Sequence, residues 1–290
     1  MVNMFAKKKK LIDVLKEARN KKSAVGQFNF STLEQLKGIS MAAKEFNVPV
    51  ICGTSPGEVN YFGMEEAVSL VRAIEKKEKV SIYLNYDHGK ELNILKKAID
   101  VGYDMVHFDG SDVSLEENTK IAKELVFYAK KRKTLVEGEI SKILGKSTIS
   151  DEEIEEVTLT SIEKVVKFVK ESCVNCIALD VGSFHGVHKN SPIIHSERVT
   201  ELIKNVSSFV VLHGGSGIDD EMIKELIRKG VTKININTEI RFEWRSALYN
   251  TLHNNPNEIV PYKILPSAVE AVCKKVKEKI NLFNYEKNSF

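Results

Sequence analysis

The chain of 290 residues has no apolar run long enough to span a membrane, and none follows the basic run at 7–10 that would turn it into a signal peptide. That run reads as the solvated start of a first helix, and the expectation is a cytoplasmic protein. Charge of one sign is missing too. The 43 basic and 40 acidic residues leave a net charge of +3, which gives no reason to expect nucleic acid or a membrane as partner. Cysteine is too scarce for a disulfide framework: of four, Cys52 and Cys273 read as small buried apolar residues. Cys173-Val-Asn-Cys176 is a lone CxxC at a helix-to-strand junction, and it reads as structural rather than as a redox or zinc site. No tract rich in Pro, Gly and Ser divides the chain, so residues 1–290 are expected to form one domain.

What is present is an alternation of strand and helix patterns. Strands are expected at 23–30, 48–54, 80–86, 105–108, 134–140, 176–181, 209–212 and 233–237. Helical patterns follow each of them, one more precedes the first strand, and a last one runs over 266–280. The segment 141–158 is polar and acid-rich; it reads as a long loop, the kind that often serves as a lid, turning helical near Glu153. Eight strand-helix units predict a (β/α)8 TIM barrel with an extra N-terminal helix and a C-terminal helix, and a doubly wound open sheet would need fewer strands or a domain break.

Polar residues recur where these strands end: Asn29, Ser55, Asp87, His88, Asp109, Glu139, His185, His213, Asn235 and Asn237. In a barrel the carboxyl ends converge on one face, so residues distant in sequence meet there. His88, His185 and His213 share a strand-end position followed by glycine, and three imidazoles with an open fourth position suit a catalytic zinc ion. His107, His188, His195 and His253 lack that pattern, although His188 lies close enough to the cluster to stay a minor candidate. Asp87, directly before a candidate ligand, has two readings: proton transfer to a substrate oxygen, or support of the ligand. Gly186 with Lys189, Gly214 with Ser216, and Asn235 with Thr238 follow strands six, seven and eight, and barrels commonly hold phosphate after strands seven and eight; Lys189 reads equally as a solvated loop residue.

Six ordered motifs make the chain resemble the class II, zinc-dependent fructose-bisphosphate aldolases and their tagatose-bisphosphate relatives. They are Gly26-Gln-Phe-Asn29, Tyr86-Asp-His-Gly89, Glu137-Gly-Glu139, Gly182-Ser-Phe-His-Gly186, Leu212-His-Gly-Gly-Ser-Gly217 and Lys233-Ile-Asn-Ile-Asn-Thr238. The resemblance implies that His88, His185 and His213 hold Zn2+ or another divalent metal, with a monovalent cation as a further ion, and that Asp87 is the catalytic acid-base. It implies that Asp109 and Glu139 form a second metal position, and that Gly186, Lys189, Gly214, Ser216, Asn235 and Thr238 hold the phosphate of dihydroxyacetone phosphate. Asn29, Ser55 and Asn237 would line the substrate cleft. The implied reaction is reversible cleavage of a ketose bisphosphate, foremost fructose 1,6-bisphosphate, to dihydroxyacetone phosphate and glyceraldehyde 3-phosphate. This would be a step of glycolysis and gluconeogenesis in a homodimer or homotetramer.

One run departs from the family. Glu139-Ile-Ser-Lys-Ile-Leu-Gly145-Lys-Ser-Thr-Ile-Ser has Leu144 where relatives carry a first glycine, and the acid that serves them as enolising base falls near Ser147. Asp151, Glu152 and Glu153 are the nearest carboxylates, read either as a shifted base or as charges on the first turn of a helix. Two competing functions remain in view. A zinc hydrolase of the amidohydrolase type would show His-x-His at the first strand end, where this chain has Phe28-Asn29-Phe30; a non-catalytic metal and sugar-phosphate binder has only the altered loop in its favour.

Overall fold

The computed structural model describes residues 8–151, 153 and 158–284. Its strands are β1 (Val25–Asn29), β2 (Val50–Thr54), β3 (Ile82–Gly89), β4 (Met105–Asp109), β5 (Leu135–Glu139), β6 (Gly145–Ile149), β7 (Cys176–Ala178), β8 (His185–Val187), β9 (Phe209–Leu212) and β10 (Val231–Ile236). Eight of them close in the order β1-β10-β9-β7-β5-β4-β3-β2 with every pair parallel, which is a (β/α)8 barrel.

The helices seal the outside of the barrel. Apolar residues spaced three and four apart put one stripe of each on the sheet; in Leu33–Phe46, for example, Leu36, Ile39 and Ala43 are buried. Thr32 starts that helix by accepting from the Gln35 N–H, while the Gln35 side chain takes the Thr32 N–H. The C-terminal helix Pro266–Phe283 packs against it at Gly38, where a Cβ would lie 2.8 Å from Val269 O and from Val272. The N-terminal helix Leu11–Asn20 plugs the amino-terminal mouth of the barrel, with Leu15 and Val14 on Tyr83, Met105 and Phe209.

Strand register sets which side chains meet inside. Gln27 lies beside Asn235, His107 beside Glu137, and Asp109 beside Glu139. Because side chains alternate along a strand, each pair shares the inner face.

Three features differ from the sequence expectation. Part of the loop at 141–158 is strand: β6 pairs in parallel with β8, which anchors Gly145–Ile149 across the barrel mouth. The sixth barrel strand, β7, stops at Ala178 rather than 181, where Asp180 Oδ1 accepts from the Gly182 N–H and bends the chain. A helix over Pro56–Phe62 follows β2; its start is fixed by Pro56 and by Glu58, whose Oε2 takes the Ser55 N–H at 2.7 Å. Among the described residues, no helix is long and apolar enough to cross a membrane.

Candidate active site

At the carboxyl ends of the strands a cavity of about 300 Å³ is lined by Asp87, His88, His185, Asn29, Ser55, Gly186, Gly214, Ser216, Asn235, Asn237 and Thr238. Lys146, Ser147 and Arg241 complete its wall. An adjoining cavity of about 260 Å³ shares His88, Ser147 and His185 with it and adds Asp109 and Glu139. His213 stands fully buried behind His88.

The histidines are arranged by their partners. Glu137 Oε1 lies 2.5 Å from His213 Nε2, which therefore carries the proton and donates; His213 Nδ1 keeps its lone pair and faces His88 Nε2 at 3.1 Å. His88 Nδ1 faces Asp109 Oδ2 at 3.5 Å, which draws the His88 proton to that side. Burial disfavours a charged His88 but Asp87 and Asp109 raise its pKa, so in the metal-free protein a proton can sit between the two rings; a divalent metal that displaced it would find both nitrogens facing one point beside Asp87, and the donor set fits such an ion. Donor atoms of Asp87, His88, His107 and His213 lie within 4.8 Å of one another, as do those of His88, Asp109 and Glu139. His185 belongs to neither group; its ring centroid is 5.0 Å from that of His88 and 6.0 Å from that of His213. Burial and the neighbouring histidines push His185 down to about 3, so it is neutral and able to ligate at neutral pH.

Asp87 is buried yet ionised. Burial alone would raise its pKa, but His88, His107 and His213 hold it well below the usual carboxylate range. Asn29 Nδ2 donates to its Oδ2 at 3.1 Å, and Asn235 Nδ2 lies 3.4 Å from its Oδ1. Ser216 Oγ and Asn237 Oδ1 are buried without a hydrogen-bond partner among the described residues, so the cavity wall holds unmet polar groups for a ligand. Gly186 and Gly214 have φ of +98° and +64°. A side chain at Gly186 would strike Lys146 O in β6, and one at Gly214 would strike Phe184 O.

Other expected residues fall elsewhere. Lys189 is exposed, stands outside the cavity wall and pairs with Glu153 Oε1 at 3.0 Å. Asp151 is likewise absent from the wall, because the β6–β8 pairing directs Lys146 and Ser147 inward instead; Glu152 lies outside the described residues. Lys233, the lysine a Schiff-base aldolase would need, is fully buried and donates to Glu137 Oε2 and Asn235 Oδ1, both at 2.8 Å.

Sequence reasoning missed Arg241, which reaches across the mouth to Glu58 Oε1 at 2.7 Å and Ser147 O at 3.2 Å. It also missed a buried polar layer beneath the site. The signal was present as polar-x-polar at five strand ends: Gln27/Asn29, Asn85/Asp87, His107/Asp109, Glu137/Glu139 and Lys233/Asn235. At period two, a polar residue two positions before a site residue shares its inward face.

The chain matches the family described as Fructose-bisphosphate aldolase class-II over residues 9–288. It is 34% identical over 275 residues to a 6-phospho-5-dehydro-2-deoxy-D-gluconate aldolase of Halalkalibacterium halodurans, covering 93% of this chain and 94% of that one. It is 32% identical over 273 residues to a sulfofructosephosphate aldolase of Alkalicoccus urumqiensis, covering 94% and 95%. Its fold superposes on the crystal structure of the YdjI aldolase from Escherichia coli K12 with a TM-score of 0.79, at 26% identity and over 97% and 98% of the two chains. With the match running almost from end to end, over a barrel whose strand-end carboxylates and histidines meet in one cavity, the chain belongs to the class II fructose-bisphosphate aldolase family and is an aldolase, a carbon-carbon lyase.

Proposed function

We propose that the protein cleaves a ketose phosphate reversibly to dihydroxyacetone phosphate and an aldehyde, with fructose 1,6-bisphosphate the first substrate to test. The observation that carries this reading is one cavity whose wall holds an ionised Asp87, His88 with His213 apposed behind it, and the unpartnered hydroxyl of Ser216. In the cleavage direction Asp87 takes the proton of the hydroxyl that becomes the aldehyde, the adjoining carbon-carbon bond breaks, and its electron pair stays on the carbon beside the ketone. In the condensing direction Asp87 returns that proton. Asn29 fixes the carboxylate orientation through its bond to Oδ2. Gly186, Gly214, Ser216, Asn235 and Thr238 supply the phosphate donors in this reading. When bound at His88, His185 and His213, zinc or another divalent cation would supply Lewis-acid polarisation of the ketone.

A second reading of the substrate rests on Lys146, Ser147 and Arg241. They bring two basic side chains to the wall of a cavity that relatives, by resemblance, furnish with an acid at this point. The two relatives are named for a sulfo- and a phosphogluconate-type substrate, each a phosphate ester with a second acidic group other than phosphate. Lys146 and Arg241 support a substrate with an anion at both ends without choosing among phosphate, carboxylate and sulfonate.

Cleavage of all three compounds by zinc-replete and EDTA-treated protein tests both readings. Activity on at least one of them, lost on metal removal and lost together with bound zinc in His213→Ala, is expected. Full activity in metal-free protein would overturn the metal-dependent reading. For the carbon-bound proton, solvent exchange of dihydroxyacetone phosphate is the measure: if amides at Asp151, Glu152 and Glu153 leave exchange unchanged, the shifted-base reading fails.

A further inference from the structure

His107 is the one fully buried histidine near Asp87 that the proposed reaction leaves without a role. It lies mid-strand in β4, and its ring packs edge-on against that of His88 at a centroid distance of 4.7 Å. The backbone N–H of His88 donates to its Nδ1 at 3.1 Å. Asp87 Oδ1 lies 3.6 Å from the same nitrogen, and although burial opposes it, Glu137, Asp87 and Glu139 favour a second ring proton; a nitrogen that accepts carries no proton, so while the His88 N–H faces Nδ1 the ring proton is on Nε2. Nε2 lies 3.1 Å from Glu139 Oε2, and neither atom has an aligned hydrogen-bond partner among the described residues.

The neighbour it holds is unusual. His88 has φ of +56°, in the left-handed region that a residue with a Cβ seldom adopts, and the β3–β4 register shifts between Tyr86 and Gly89. The shift takes the His88 N–H out of the sheet ladder and turns it into the barrel, where an unpaired donor would destabilise the fold. His107 Nδ1 is the acceptor there. Left-handed backbone at His88 is in turn what aims Nε2 at His213 and Nδ1 at Asp109.

We propose that His107 is a positioning residue: one ring nitrogen locks the strained backbone of His88 and the other faces Glu139, so the ring orients the metal-ligating side chains without ligating. With Nδ1 accepting from His88 and Nε2 protonated, it has no lone pair left for an ion. This rests on the reading of His88 and His213 as zinc ligands, but the tautomer it requires is a property of the metal-free protein as well.

Three variants and one spectrum test it. His107→Phe removes both contacts, His107→Asn keeps an acceptor where Nδ1 stood, and His107→Gln keeps a donor toward Glu139. Zinc affinity is read by chelator competition, and kcat and KM are read at saturating zinc. The expected result is a 10–100-fold weaker zinc affinity and a lower kcat in His107→Phe, with most of the affinity regained in His107→Asn and less in His107→Gln. Zinc affinity unchanged in His107→Phe would reduce His107 to a space-filler. Affinity as poor in His107→Asn as in His107→Phe would make it a ligand. Nitrogen-15 chemical shifts of the metal-free protein cover variants that fail to fold: an unprotonated Nδ1 with a protonated Nε2 is required, and any other state overturns the assignment. If the unmodified protein bound no zinc, the metal reading would fall while the tautomer still decided the role of His107 toward His88.

Discussion

The lower half of the barrel interior is hydrocarbon: Val25, Tyr83, Met105, Leu135 and Phe209 meet under the helix Leu11–Asn20. One inward step higher on the same strands stand Gln27, Asn85, His107 and Glu137, all fully buried, with Lys233 beside them. The backbone is the same parallel ladder in both regions, so the difference is in side chains alone. Below, each large apolar side chain taken from water contributes about 1.5–3 kcal/mol. Above, desolvation works against the fold, and the charges of Lys233, Glu137 and Asp87 are tolerated because each has a partner: Lys233 with Glu137, Glu137 with His213, Asn29 with Asp87. The lower half holds the barrel closed, and the upper half spends part of that stability on fixing the geometry of a site.

The sharpest break in this comparison is Asp87→Asn. Asn keeps the shape but exchanges no proton, so cleavage should fall roughly 10²–10⁴-fold, with zinc content and melting temperature near those of the unmodified protein. Loss of zinc with normal turnover once zinc is restored would make Asp87 a support of the ligands only.

Lys233→Met should act on stability and on the site together. It strands the buried Glu137 carboxylate, for which a loss of about 3–5 kcal/mol is expected in urea unfolding. Zinc affinity should fall as well, because Glu137 orients His213.

Leu15→Ala tests the other half. Leu15 is fully buried in the plug, and about 2–5 kcal/mol should be lost with kcat unchanged. An altered kcat would show that the two halves are coupled.

Acid should separate the halves by pH. The His185 pKa is depressed to about 3 from 6.5, so below pH 6.5 the unfolded chain binds a proton that the folded chain does not. Folding stability of the metal-free protein therefore falls as pH drops from 6.5 toward 3. A plug variant such as Leu15→Ala should show the same pH slope, displaced downward; a slope absent from both proteins would contradict the depressed pKa of His185.

The smallest effect is expected at Lys189. Its pair with Glu153 is exposed and off the cavity wall, so Lys189→Met should change kcat/KM by less than about threefold, in keeping with the small worth of exposed ion pairs. A large rise in KM for the phosphorylated substrate would return it to the phosphate site.

Local sequence carried the barrel because alternation, helix stripes and short connections are all read within one unit. Leu92–Val101 and Asp220–Lys229 could be read from their own apolar spacing, and Gly102 and Gly230 end them in left-handed turns. The strand-end residues of the site were legible for the same reason, since position at a carboxyl end is a local property. What remained hidden depended on neighbours far along the chain. The segment after Glu139 was polar and read as a loop, but Gly145–Ile149 becomes strand because His185–Val187 offers it an edge. Lys189 had the right composition for a phosphate site, and only the path of the chain after β8 turned it toward Glu153. His107 had no glycine after it and so no mark of its own; its role comes from the register that sets β4 against β3 and from the His88 N–H that this register turns inward. The sequence by itself determined the closed alternation of strand and helix and the ring of histidines and carboxylates at its mouth, because both repeat with the period of a single element. Tertiary structure alone decided which of those groups pair, which are silenced by burial, and which stand free for a ligand, because hydrogen bonds between strands are set by register and not by spacing along the chain.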